Sequence, residues 1–101
     1  MSDLAEIFSV GFDKPKFCLG RILATPGALR EIPNEEIFAA LGRHANGDWG
    51  TMDPEDLAAN ERALKHGGRL FSAYHSSRNI KFWIITECDR SVTTVLLPED
   101  Y

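Results

Sequence analysis

Apolar and polar positions alternate along this chain in two periods, and the change from one to the other outlines the fold. From Phe17 to Ala24, "FCLGRILA" is a mostly apolar run that stops at Thr25-Pro26-Gly27, which predicts a strand followed by a turn. In "NEEIFAALGRHANG", Ile37, Ala40, Leu41 and His44 recur at i, i+3, i+4 spacing, the stripe of a helix with His44 on its core side. Asn34 is placed to cap that helix, Glu35 and Glu36 suit its N-terminal dipole, and Asn46-Gly47 supplies a stop. A second helix is punctuated by Asp53 as N-cap, Pro54 in the first turn, Asp56 as a short capping-box acid and Gly67-Gly68 as the stop. Asn60 falls between Leu57 and Leu64 on its apolar stripe, so this amide must find partners.

After Gly68 the period becomes two. "RLFSAY", "IKFWIIT" and "SVTTVLL" are rich in aromatic and β-branched residues and are separated by the short polar loops "HSSRN" and "ECDRS". Short loops between consecutive strands predict an antiparallel meander. The expected order is β-α-α-β-β-β, an α+β domain with helices packed on one face of an antiparallel sheet, spanning residues 17–101. Residues 1–16 read as a flexible or short helical N-terminal segment.

At 101 residues the chain has room for one core, and 44% apolar with 26% charged residues is the balance of a folded domain. Fifteen acids against 11 bases give a formal charge of −4, which repels phosphate at long range. No stretch reads as a membrane span, and the start "MSDLAEIF" lacks the basic-then-apolar order of a secretory signal, so the expected location is the cytoplasm. Cys18 and Cys88 then read as buried thiols. His44, His66 and His75 have no acid or cysteine at ligand spacing, so neither a metal nor a cofactor is expected.

Two segments carry the candidate chemistry. The turn Asp89-Arg90 joins two strands, and its simplest reading is a type I turn with Asp89 bonding backbone amides. Strand alternation, however, sends Ser72, Tyr74, Thr86 and Thr93 or Thr94 to one sheet face near Arg90 and Arg69. Hydroxyls beside arginines suit a phosphate or a carboxylate, so Arg69, Ser72, Tyr74, Thr86, Asp89, Arg90 and Thr93 form the candidate binding set. In "RHANGDWG", Gly47 and Gly50 bracket Asp48-Trp49, which reads as an aromatic plug at the core edge with Asp48 bonding loop amides. His44, Asp48, Trp49 and Asn60 are further candidates, His44 as a general acid or base.

"RHANGDWG", "NERALKHGGRLFSAY" and "KFWIITECDRSVTTVLLPEDY" resemble a small bacterial family carried on plasmids and other mobile elements, a resemblance that covers Cys18 to Tyr101. The order of "GRLFSAY" and "FWIITECDRSVTTVLL" is similar to the last strands of barnase-type ribonucleases and RelE-type toxins. That resemblance implies RNA held on the sheet face by Arg69 and Arg90. Arg90 stands where barnase-type enzymes carry a histidine acid, and their glutamate base has no counterpart, so His44, Tyr74 or His75 would have to move protons.

Three functions are therefore expected, the last of them a small-ligand site on the same polar sheet face. The first is a protein that binds a protein partner, as an inhibitor of a host defence system (anti-CRISPR or anti-restriction type) or as one member of a toxin–antitoxin pair. The second is a ribonuclease with RNA as its partner. Catalytic residues stay unassigned. The apolar end "VTTVLLPEDY", if it forms an edge strand, is compatible with a homodimer.

Overall fold

The computed structural model describes residues 1–4 and 14–101. The fold is α+β, and the described residues form a five-stranded sheet and three helices: β1 (Ser2–Asp3), β2 (Arg21–Ala24), α1 (Pro26–Glu31), α2 (Asn34–Ala45), α3 (Pro54–His66), β3 (Leu70–His75), β4 (Lys81–Thr86) and β5 (Val92–Leu96). A 3-10 turn over Pro98–Asp100 follows. Residues 5–13 of the expected flexible or short helical N-terminal segment lie outside the described residues, while Ser2 and Asp3 pair with β2 and Leu4 is buried in the core, so its start belongs to the domain.

The sheet order is β1-β2-β5-β4-β3. β3, β4 and β5 form the expected antiparallel meander, with Ser72 opposite Ile84 and Thr86 opposite Thr93. β2 runs parallel to β5, so the sheet is mixed rather than wholly antiparallel. β5 suits a place between two strands, since Val92, Val95 and Leu96 are apolar and the Thr93 hydroxyl is satisfied internally. β5 is therefore central, and the edge expected at "VTTVLLPEDY" does not exist.

Thr25-Pro26-Gly27 begins a helix instead of a simple turn. The Thr25 hydroxyl accepts the Ala28 amide at 3.1 Å, and Pro26 takes the first helical position, where a missing N–H costs nothing. α2 starts on Asn34 itself, with Pro33 before it and no side-chain cap. α3 follows its punctuation closely: Asp53 accepts the Asp56 amide at 2.9 Å, and Gly67 ends the helix at φ 85°.

Register places Leu70, Ser72, Tyr74, Phe82, Ile84, Thr86, Thr93, Val95, Ile22 and Ala24 on one sheet face. α1 and α2 bury Ala28, Ile37, Ala40 and Leu41 into the same core as Tyr74, Phe82, Ile84 and Val95. A second cluster, Trp49, Ala63 and Leu70 with Phe17, Met52 and Leu64, fills the end near β3.

Candidate functional site

The hydroxyls expected on one sheet face do share it, but that face is the interior. Ser72, Thr86, Thr93 and His44 each have no exposed surface. The imidazole of His44 hangs from α2 between β3 and β4, with Nδ1 at 2.5 Å from Ser72 Oγ and Nε2 at 2.9 Å from Thr86 Oγ1. Thr86 Oγ1 lies 2.7 Å from Thr93 Oγ1, which donates to the Leu19 carbonyl at 2.6 Å.

These contacts fix every proton. Thr93 gives its only proton to Leu19, so it accepts from Thr86. Thr86 has then spent its own proton and must accept from His44, which places the imidazole proton on Nε2. Nδ1 is left to accept from Ser72. One directed chain thus runs from Ser72 through His44, Thr86 and Thr93 to a backbone carbonyl, tying α2, three strands and the segment before β2 together.

Burial, and secondarily the positive charge of Arg90, lowers the pKa of His44 to about 3. The ring is therefore neutral at pH 7. Phe17 and Trp49 close over it edge-on, with ring centroids at 5.3 and 5.5 Å. A neutral imidazole with both nitrogens engaged and aromatic rings over it is a framework group. It offers a substrate no proton and no approach.

Arg90 is equally committed. It sits at φ 63°, a conformation that costs a non-glycine residue about 1 kcal/mol. Its guanidinium offsets that cost by donating to four carbonyls: Gly68 and Ala63 at 2.5 and 2.9 Å, Glu87 and Cys88 at 3.2 and 3.4 Å. It caps the C-terminal end of α3, braces its own turn and lies over the Phe17 ring at 5.8 Å. Asp89 accepts the Ser91 amide and hydroxyl at 3.0 and 2.6 Å, which keeps its carboxyl below the usual range. Asp89-Arg90 is thus a turn whose Asp89 bonds locally and whose Arg90 ties it to the end of α3.

Arg69 faces other partners. Its Nε lies 3.3 Å from Glu87, and it donates to the Tyr101 hydroxyl at 3.1 Å. Tyr101 meets Trp83 edge-on at 5.9 Å, and Trp83 packs against Phe71 at 4.9 Å. Phe71 and Trp83 lie on the sheet face opposite the hydroxyls, and strand alternation is the sequence signal for them, whereas Tyr101 follows the last strand and has none.

Asn60, Trp49 and Asp48 protect an edge. The Asn60 amide donates to the Phe71 carbonyl at 2.7 Å and accepts the Phe71 amide at 3.0 Å, standing in for a neighbouring strand along β3. Further along, Ala73 bonds Trp49 and Thr51 through their backbones, at 3.1 and 2.8 Å. Gly50 allows this approach, because a Cβ there would fall 2.0 Å from the Ala73 carbonyl. Trp49 plugs the core edge and donates to Glu61 at 2.8 Å. Asp48 pairs with Arg43 at 2.8 Å, accepts the Gly50 amide at 3.3 Å and offers its backbone carbonyl to Tyr74 at 2.6 Å. Burial pushes the Tyr74 hydroxyl well above its ordinary pKa, so this phenol also stays protonated.

Beside this edge, Met52, Asp56, Ala59, Asn60, Arg69 and Phe71 line a cavity of about 260 Å³ in which apolar and charged groups meet. Cys18 and Cys88 are exposed rather than buried. Phe17 and Leu19 take the inward positions around the first, and the second sits in the β4–β5 loop. Among the described residues no group of histidine, cysteine and acid is placed to hold a metal, and no helix is long and apolar enough to cross a membrane. In comparisons with known proteins, no family model, no curated protein and no solved structure matches this chain.

Proposed function

We propose that the protein is a non-catalytic binding module that acts on a protein partner, in the manner of an inhibitor of a host defence system or one member of a toxin–antitoxin pair. The observation that carries this reading is the sealed chain Ser72-His44-Thr86-Thr93, in which each proton is spent on the protein itself. With Arg90 spent on carbonyls and the Tyr74 hydroxyl on the Asp48 carbonyl, three of the groups that RNA cleavage would draw on are bonded within the fold, which supports contact over catalysis. What remains outside is suited to contact. Phe71, Trp83 and Tyr101 with Arg69 combine aromatic residues and an arginine, the composition of interface anchors.

Affinity capture from lysate of the source cell, followed by mass spectrometry and nucleic-acid staining, tests this. A stoichiometric protein partner is expected with the wild type, and its recovery should fall at least tenfold with Trp83→Ala. Capture of RNA instead, together with cleavage of that RNA by the purified protein, would count against the reading.

A further inference from the structure

We infer that the cavity between the first half of α3 and the outer face of β3 is a binding site for a small zwitterion with an apolar tail, in chemical class a free α-amino acid such as leucine or methionine. The site has three chemically distinct sides. Phe71 and Met52 with the Ala59 methyl form an apolar floor and wall, Arg69 brings a fixed positive charge, and Asp56 brings a negative one. Arg69 pairs with Glu87 at 3.3 Å rather than with Asp56, so the guanidinium and the Asp56 carboxylate border the same cavity without pairing with each other.

The placement of each group has a cause. Asp56 stands in the first turn of α3, which is held against β3 by the two bonds between Asn60 and the Phe71 backbone. Those same bonds consume the polar atoms of Asn60, which leaves the apolar parts of the wall to receive a side chain. Arg69 is steadied by Glu87 and by the hydroxyl of Tyr101, and these contacts use Nε and Nη1 of a five-donor fork. A carboxylate can therefore add to a guanidinium already held in place, while an ammonium group meets Asp56.

Size sets the class of ligand. About 260 Å³ is below the ~300–1,000 Å³ typical of sites for drug-sized molecules, and it suits one amino acid better than a peptide or a nucleotide. The opposed charges select for both termini of a free amino acid. A residue within a chain would present neither.

The site shares Arg69 and Phe71 with the proposed contact surface, but it does not depend on that reading. It is tested by titrating L-leucine into the full-length ¹⁵N-labelled protein and following backbone amide shifts, with isoamylamine and isocaproate as probes that each lack one charged end. Saturable shifts are expected at Met52, Asn60 and Phe71 with roughly millimolar affinity, as befits so small a ligand. Each truncated probe should bind at least about tenfold more weakly, as should leucine to Asp56→Asn and to Arg69→Gln. Ala59→Trp, at an exposed helical position, should block the cavity while leaving the rest of the spectrum intact. The assignment is overturned by an absence of localised shifts at tens of millimolar leucine. Equal binding of either truncated probe, or wild-type affinity in the two charge variants, overturns it as well.

Discussion

His44 shows how one residue changes meaning between sequence and structure. A histidine on the apolar stripe of a helix is a candidate acid or base until its partners are known, and here those partners are two hydroxyls without exposed surface. Replacing it with alanine leaves a cavity and strands both Ser72 and Thr86, so His44→Ala should cost about 3–5 kcal/mol in urea unfolding. His44→Gln, whose amide can accept from Ser72 and donate to Thr86, should lose less. At Arg90 two effects oppose each other. Arg90→Ala forfeits the carbonyl bonds and keeps the unfavourable φ, for a loss of about 2 kcal/mol. Arg90→Gly relieves the backbone and should be about 1 kcal/mol more stable than the alanine variant, which paired urea melts would show.

Among the elements, those with strong local signals were legible. α3 could be placed from Asp53, Pro54 and Gly67-Gly68, and the three C-terminal strands from their β-branched and aromatic runs. α1 was hidden because its six residues carry no periodic stripe, although Thr25-Pro26 is a helix start in its own right. The parallel β2–β5 pair and the two-residue β1 were hidden for a different reason. Pairing between strands distant in sequence leaves no local trace, and a strand of that length has no pattern. The candidate set was likewise half legible: alternation grouped Ser72, Tyr74 and Thr86 with either Thr93 or Thr94, the register makes it Thr93, and alternation could not tell which face α2 would cover. The Asn60 bracket on β3 carries its own prediction. Asn60→Ala should cost about 2 kcal/mol and free an edge N–H and C=O, visible as faster amide exchange at Phe71 and as self-association on heating.

For the molecule as a whole, the buried imidazole ties stability to pH. The folded-state pKa of His44 is lowered to about 3 from 6.5, so between those values the unfolded chain binds a proton that the folded chain refuses. Stability is therefore complete above about pH 6.5 and falls with acidification by up to about 1.4 kcal/mol per pH unit until about pH 3. Glu36, Asp89 and Asp100, held below the usual carboxyl range by hydroxyl and amide donors, add to the loss in the same direction at the acidic end. His44→Gln should flatten the upper part of this curve in thermal melts from pH 7 to pH 4. The ionisable interior is thus uncharged at His44 at neutral pH.

The most direct measurement is an NMR titration of the His44 imidazole nitrogens from pH 8 to pH 4. The account predicts a single neutral tautomer throughout, with the proton on Nε2 and Nδ1 unprotonated. A midpoint between pH 6 and pH 7, or a proton on Nδ1, would contradict it and return His44 to the list of catalytic candidates.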